Sequence, residues 1–215
     1  MKTNTFIILA MLIILSNCVK ESVNTSQKIA TVLTTYTICG TVLLEQDSIS
    51  GVKDVIVNLT GAEAQTDTTD SNGDYSFTVS TLGSYTVTPS KNINKLNGVT
   101  SADVTAIQQH VANIILINNS YKRIAADVNK NNSISTIDAT ILNQARLGNP
   151  AALNYLNPSW TFVASSYNLT LPPAPSTVPT GYPKSISFTL TTDTSGLNFY
   201  GLKRGDVNGS ADSQN

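Results

Sequence analysis

A stretch of twelve residues carries the strongest signal in this chain: Asp127-Val-Asn129-Lys-Asn131-Asn-Ser133-Ile-Ser135-Thr-Ile-Asp138. Its side chains bear oxygen atoms at positions 1, 3, 5, 9 and 12 of the stretch. Hard divalent cations such as calcium take six to eight oxygen ligands, which a tight loop of alternating Asp and Asn residues supplies. We therefore expect a calcium-binding loop in which Ser133, at position 7, contributes its main-chain carbonyl.

The end of this stretch has a second interpretation. Ser135 followed three residues later by Asp138 is also the signature of a helix N-cap with a capping-box acid. A capping box alone does not require the Asp and Asn residues at positions 1, 3 and 5, so the whole pattern favours a metal loop. Asn132 replaces the glycine that is usual at position 6, and Asn is the residue after glycine that most readily adopts a left-handed backbone.

A similar segment lies thirty-five residues upstream, where Gly98-Val-Thr100-Ser101-Ala-Asp103 matches Ser133-Ile-Ser135-Thr136-Ile-Asp138. Apolar residues follow each copy at helical spacing, which predicts an internal repeat of two short helices packed face to face. These residues are Val104, Ile107, Val111 and Ile114 in the first copy and Ile137, Ile141, Leu142 and Ala145 in the second. The first copy lacks the front half of a loop, because its position 5 is Leu96.

A third segment, Gly205-Asp206-Val-Asn208-Gly-Ser210-Ala-Asp212, has the front half of such a loop and no helix after it. Our hypothesis is that Asp206, Asn208 and Ser210 fold back to complete a site that ends at Asp103. Thr100 would assist at position 9 of that site. The alternative is a polar C-terminal turn, since Asn-Gly is a turn dipeptide.

We therefore expect one calcium site complete in sequence and a second assembled from two halves. The repeats contribute few carboxylates, Asp127 and Asp138 in the second and Asp103 in the first. Low ligand charge predicts weak binding, with a Kd on the order of 10 to 1,000 μM.

The repeat pair, residues 91 to 149, resembles the type I dockerin domains of Bacteroidetes-type surface proteins. Tyr121-Lys-Arg-Ile-Ala-Ala-Asp127 is similar to the segment that leads into the second loop of that family. The resemblance implies calcium binding and docking onto a cohesin-like domain, often in assemblies that degrade polysaccharides. It also implies partner contacts at loop positions 10 and 11. Ser101 and Thr136 keep the usual hydroxyl there, whereas Ala102 and Ile137 depart from the family pattern.

Residues 34 to 90 alternate between apolar and polar side chains and are broken by Gly and Asn clusters, which predicts an all-β module. The module resembles prealbumin-like sandwiches, similar to carboxypeptidase regulatory-like and SdrD B-like repeats, which implies a stalk or spacer. The resemblance rests on Gly51-Val-Lys-Asp-Val55-Ile-Val57-Asn-Leu59, Thr69-Asp-Ser-Asn-Gly73-Asp-Tyr75-Ser-Phe77 and Gly83-Ser-Tyr85-Thr-Val87. Asp70 to Asp74 imitates the opening of a calcium loop, but the strand pattern after it predicts a hairpin turn.

Residues 150 to 215 are expected to form an extension that wraps the repeats and delivers the Asp206 turn. Its many prolines limit it to short edge strands, beginning near Trp160, Ser185 and Phe199. A sugar-stacking platform of Trp160 and Tyr182 is an alternative that we consider weaker than packing of these rings.

Residues 1 to 18 predict an export signal, since Lys2 precedes a short apolar core that is too short to cross a bilayer. Two processing routes fit equally well, lipidation of Cys18 and ordinary cleavage after it. Residues 19 to 33 are expected to be a polar linker. Cys39 is then the sole thiol of the mature chain, so we expect no intramolecular disulfide and a small packed side chain at that position.

A formal net charge of −1 and 13% charged residues predict no binding to nucleic acid or to an anionic membrane surface. The membrane would be reached only through a lipid on Cys18. His110 is the only histidine and is expected on the solvent side of a helix, so the sequence offers no catalytic triad or histidine metal cluster. We therefore expect a protein that is not an enzyme.

Together these features predict a multidomain α+β chain that is exported to the cell surface or beyond. An all-β sandwich would be followed by a two-helix calcium-loop domain of dockerin type and a Pro-rich, β-containing extension. The expected function is non-catalytic, calcium-dependent docking onto a cohesin-like partner. The alternative is a calcium-stabilised stalk or adhesin segment that has no such partner.

Overall fold

The computed structural model describes residues 34–215, so the predicted export signal, Cys18 and the linker lie outside the described range. The described residues form eight strands and four helices. The strands are β1 (Tyr36–Leu44), β2 (Ile56–Gly61), β3 (Gln65–Thr68), β4 (Asp74–Val79), β5 (Gly83–Ser90), β6 (Trp160–Ala164), β7 (Ile186–Leu190) and β8 (Phe199–Lys203). The helices are α1 (Ser101–Val111), α2 (Ser120–Ala126), α3 (Thr136–Arg146) and α4 (Pro150–Tyr155).

The strands form two four-stranded sheets, ordered β4-β1-β8-β6 and β3-β2-β5-β7. Neighbouring strands are antiparallel except for β1 and β8, which run parallel with Val42 opposite Phe199. Inward-facing residues of both sheets meet in one buried apolar core that includes Val57, Phe77 and Val87. The alternating burial of β2, β4 and β5 matches the period of two on which the β prediction for residues 34 to 90 was based.

The extension contributes more to the sandwich than its sequence suggests. Strands near Trp160, Ser185 and Phe199 were predicted, and β6, β7 and β8 confirm them. We expected edge strands around the repeats, but β8 lies between β1 and β6, while β7 pairs with β5. A sandwich ending at residue 90 would lack these three strands. Sheet neighbours are chosen by long-range packing, which a local pattern does not encode.

The turn from Asp70 to Asp74 is confirmed as a turn, with the Asp70 carboxylate accepting the N–H groups of Asn72 and Asp74 at 2.9 and 3.0 Å. It does not form the hairpin that we predicted. The strands on either side of it belong to different sheets, because β3 pairs with β2 and β4 pairs with β1. The turn is therefore a crossover between the layers of the sandwich.

The helices pack in a second apolar core beside the sandwich, with α1 against α3. Both predicted helices are present, and the shorter α2 and α4 add to them. Two of the predicted packing residues are instead exposed, Ile114 at 72% and Ile137 at 57%. Helix α1 ends before Ile114, and Ile137 lies in the first turn of α3 on its outer side.

The burial of three individual side chains bears on the predictions made from the sequence. Cys39 lies on β1 among core residues, as expected. His110 is 1% exposed, so its predicted placement on the solvent side of the helix is wrong. Trp160 is also 1% exposed, which leaves no ring face for stacking on a sugar. Among residues 34–215, no helix combines the length and the apolar character that crossing a bilayer requires.

Candidate metal sites

Residues 127–138, which we call the intact loop, curl around the side chain of Asp127. Its Oδ1 accepts the N–H of Asn131 at 3.0 Å, and its Oδ2 accepts the N–H of Asn132 at 2.9 Å. Asn129 Oδ1 also accepts the Asn131 N–H at 3.0 Å, and Asn131 Oδ1 accepts the N–H of Ser133 at 2.9 Å. Asn132 has a φ of 65°, the left-handed conformation that we expected at position 6. The side chains at positions 1, 3 and 5 are thereby held within one tight turn.

Asp138 closes the intact loop from its other end. Its Oδ1 accepts the N–H of Asn129 at 3.2 Å, and its Oδ2 accepts the N–H of Ser135 at 2.9 Å and the Ser135 hydroxyl at 3.0 Å. The bond from the Ser135 N–H is one half of the capping box at the start of α3. The two interpretations of this segment are therefore compatible, because one carboxylate both caps the helix and reaches the front of the loop.

The second arrangement, the split loop, joins residues 98–103 to residues 206–212. Asp103 Oδ1 accepts the N–H groups of Val207 at 2.8 Å and Asn208 at 2.9 Å. Asp103 Oδ2 accepts the N–H of Thr100 at 2.7 Å, as part of the capping box of α1, and also the Thr100 hydroxyl at 2.9 Å. The C-terminal turn thus lies against the first repeat, as the hypothesis of two halves requires.

Asp206 organises the front of the split loop as Asp127 organises the intact loop. Its Oδ1 accepts the N–H groups of Gly209 at 2.9 Å and Ser210 at 3.0 Å, and its Oδ2 accepts the N–H of Ala211 at 2.8 Å. The Ser210 hydroxyl donates to the carbonyl of Gly98 at 2.9 Å. Gly98 occupies position 7 of the split loop, and its carbonyl is a candidate ligand that our sequence reasoning missed. Its alignment with Ser133 was the available signal.

The C-terminal tail approaches the first repeat closely enough to require glycine at position 98. Gly98 has a φ of +74°, and an added Cβ would lie 2.5 Å from the Ala211 backbone. Asn97 Oδ1 accepts the N–H of Asp212 at 3.0 Å, which holds the tail on the repeat side. On the sandwich side, Gln214 Nε2 donates to the carbonyl of Gly51 at 2.9 Å. The tail is therefore hydrogen-bonded both to the first repeat and to the sandwich.

The two loops meet through the chain that precedes each of them. The Gly205 N–H donates to the carbonyl of Ala125 at 2.9 Å. Arg204 Nη1 donates to the carbonyl of Asp127 at 3.3 Å. Asp127 and Asp206, the first residues of the two loops, therefore follow segments that are hydrogen-bonded to each other.

Burial raises the pKa of Asp127 and also that of Asp206. The carboxylates of Asp138 and Asp103 raise them further, while the main-chain N–H groups oppose both effects. Each loop thus concentrates negative charge away from water, which a bound cation would offset.

The donor set of each loop fits calcium. It consists of two carboxylates together with amide, hydroxyl and carbonyl oxygens, the hard ligands that calcium takes. In residues 34–215 there is no group of three or more His, Cys, Asp or Glu side chains that could hold a metal ion, so each loop would depend on amide, hydroxyl and main-chain oxygens beside its two carboxylates. The intact loop would hold the ion through Asp127, Asn129, Asn131, Ser133, Ser135 and Asp138. The split loop would use Asp206, Asn208, Ser210, Gly98, Thr100 and Asp103.

The two predicted partner-binding residues, Ser101 and Thr136, are the first residues of α1 and α3, and both are exposed. Thr105 and Thr140, one turn further along each helix, are exposed as well. The repeats therefore present a matched row of hydroxyl-bearing side chains to solvent.

Residues 44–141 match the model of the SdrD B-like domain, which covers under half of the chain and runs from the end of β1 into α3. No curated protein and no solved structure matches the chain. These comparisons give no support to the dockerin resemblance, which stays a prediction. The chain is thus similar to SdrD B-like domains over the first part of the sandwich and the repeats that follow it.

Proposed function

We propose that this protein is a calcium-stabilised, non-catalytic segment of a cell-surface protein, in which the intact and split loops each hold one calcium ion. The observation that carries the proposal is the pairing of Asp103 with the main chain at Val207 and Asn208, 104 and 105 positions away. This contact brings together the two segments that would supply the ligands of the split loop, and it therefore supports the proposal. The similarity to SdrD B-like domains supports a stalk or spacer at the cell surface.

A bound ion would stabilise the fold by holding the chain ends of each loop together. In the split loop those ends belong to the repeats and to the segment that follows β8, the strand inserted beside β1. Calcium at a hundred times its Kd would add about 2.7 kcal/mol to the free energy of unfolding. The export signal predicted from residues 1 to 18 would take the protein to compartments where millimolar calcium is common.

The test is calorimetric calcium titration combined with thermal unfolding in calcium and in EDTA. We expect two ions per chain and a melting temperature that falls in EDTA. Asp127→Asn should remove one ion and Asp206→Asn the other. A titration without heat, together with identical melting curves in calcium and EDTA, would reject the proposal.

The second candidate function is calcium-dependent docking onto a cohesin-like domain. The matched exposure of Ser101 and Thr136 at the starts of α1 and α3 favours it. Exposed Ile137 and Ala102 beside them differ between the repeats, so the two halves would offer a partner different contacts. A pull-down with cohesin domains in calcium tests this function. Recovery that is lost in EDTA and with Thr136→Arg, while the ion count stays at two, would support docking.

A further inference from the structure

Residues 172–178, which we call the strap, lie across the helices and the intact loop. Arg123, buried on α2, holds the strap by its main chain. Its Nη1 donates to the carbonyls of Pro172 at 2.9 Å, Ala174 at 2.8 Å and Thr177 at 3.3 Å. Its Nε donates to the carbonyl of Ile117 at 2.9 Å, which fixes the plane of the guanidinium. One side chain therefore holds three main-chain carbonyls of the strap in place.

His110 supports the strap from α1. Its Nδ1 accepts the N–H of Ile117 at 2.9 Å, so the ring proton is on Nε2, which donates to the carbonyl of Pro175 at 2.8 Å. Arg123 and His110 share Ile117 as a second partner. The two buried side chains thus hold the strap together, through hydrogen bonds to its main-chain carbonyls.

The strap in turn pairs with the intact loop as a short antiparallel bridge. The N–H of Ile134 donates to the carbonyl of Ser176 at 2.8 Å, and the N–H of Val178 donates to the carbonyl of Asn132 at 3.2 Å. Ser133 stands opposite Thr177 in this bridge. The bonded groups of the loop belong to Asn132 and Ile134, the two residues that flank Ser133 at position 7.

This pairing determines where the carbonyl of Ser133 points. The C=O of Ser133 and the N–H of Ile134 belong to one planar trans peptide group and point in opposite directions. Because the N–H is directed at the strap, the carbonyl is directed away from it. A position-7 ligand has to present its carbonyl to the ion and not to the outside of the loop.

The split loop provides a comparison within the same molecule. Its equivalent peptide group joins Gly98 to Val99, and the N–H of Val99 donates to the carbonyl of Leu96 at 3.0 Å, within its own turn. The carbonyl of Gly98 accepts from Ser210. The position-7 peptide group is thus bonded to the strap in the intact loop, whereas in the split loop it is bonded to its own turn and to Ser210 of the C-terminal tail.

We propose that Arg123 is a positioning residue for the intact loop, acting through the strap to orient the carbonyl of Ser133 and so to set the calcium affinity of that loop alone. The proposal rests on the proposed function, since it presupposes that both loops bind calcium. Groups that orient metal ligands from outside the ligand shell commonly change metal affinity by about ten- to a hundredfold. Arg123 would belong to this class although it reaches the loop through an intervening segment.

The test is a calcium titration of the protein without its predicted export signal, followed by NMR. The amide signals of Asn132 and Gly209 report the intact and split loops separately. For Arg123→Gln we expect a Kd at Asn132 weaker by roughly ten- to a hundredfold, with the Kd at Gly209 unchanged. Arg123→Lys should restore only part of the affinity, because one ammonium group cannot reproduce the guanidinium fork. The exposed Lys184→Gln is the control for the loss of a positive charge.

Val178→Pro tests the same inference without altering Arg123, since it removes the N–H that donates to Asn132. It should weaken calcium binding at the intact loop in the same selective way. The positioning role would be overturned if the folded Arg123→Gln and Val178→Pro proteins bound calcium equally weakly at both loops. It would also be overturned if neither variant changed the Kd of either loop. If neither amide signal of the wild-type protein responds to calcium, the proposed function itself fails and this inference falls with it.

Discussion

Asp103 and Asn208 are 105 positions apart in the chain, yet the Asp103 carboxylate accepts the Asn208 N–H at 2.9 Å. This bond joins the start of helix α1 to the turn that follows strand β8. The turn is held over the same carboxylate that caps the helix, just as the front of the intact loop is held over Asp138. The same loop geometry is thus built once from continuous chain and once from two distant segments.

The first prediction concerns the split loop. Asp206→Asn should abolish the calcium-dependent part of the stability at that site, because it removes one of only two carboxylates in the ligand set. Differential scanning calorimetry should show a smaller gain in melting temperature on adding calcium than the wild type shows. Asp212→Asn is the matched control, because Asp212 lies on the same tail but outside the proposed ligand set. Equal gains for all three proteins would contradict the assignment of Asp206.

The second prediction concerns the close approach at Gly98. Gly98→Ala places a Cβ 2.5 Å from the Ala211 backbone in a residue with a φ of +74°. We expect it to displace the tail and to cost more than the roughly 1–2 kcal/mol of a left-handed backbone alone. Gly196→Ala is the control, because Gly196 has a φ of +76° and nothing within 4 Å of the added atom. Urea unfolding measures both, and equal losses of stability would show that the tail does not confine Gly98.

The third prediction concerns β8. Phe199 is fully buried in the core of the sandwich, although it lies more than a hundred residues beyond Val42, its partner on β1. Phe199→Ala should lower the free energy of unfolding by about 3–5 kcal/mol. Leu147→Ala, at a residue that is 71% exposed, should change it by less than about 0.5 kcal/mol. A small effect at Phe199 would mean that the sandwich does not depend on the C-terminal strands.

The fourth prediction is a pH dependence that arises from His110. Burial lowers its pKa from the ordinary value of 6.5, against an opposing contribution from the hydrogen bond to Pro175. The unfolded chain therefore binds a proton at a higher pH than the folded chain does. The contribution of neutral His110 to stability is complete above about pH 6.5 and is lost as the pH falls toward the lower folded pKa.

Urea unfolding between pH 5 and 8 in EDTA measures this effect. His110→Gln removes the titrating group, so the variant should lose less stability than the wild type as the pH falls below 6.5. The difference between the two proteins isolates His110 from Asp127 and Asp206, whose raised pKa values act with the opposite sign. Parallel curves for the two proteins would show that His110 does not titrate in the folded state as we expect.

Local pattern was sufficient for several parts of this protein. The alternation in β2, β4 and β5 and the N-cap at Ser135 depend on interactions between residues close in sequence. The hydrogen bonds around Asp127 likewise join residues at most five positions apart. A sequence pattern describes such contacts directly, because the partners are brought together by the geometry of a single turn or strand.

Other parts were decided by the tertiary structure. The position of β8 beside β1, the burial of His110, and the pairing of the strap with the intact loop all join residues that are remote in sequence. The two halves of the split loop were recognisable as motifs, but their meeting required the sheet to carry the chain back to α1. Packing within the two cores selects the neighbours of β8, His110 and the strap, and no local sequence pattern identifies those partners, whereas the complementary halves of the split loop did suggest one another. The sequence alone thus indicated both loops and suggested how the two halves of the split loop pair, whereas the position of β8, the burial of His110 and the course of the strap depended on long-range packing.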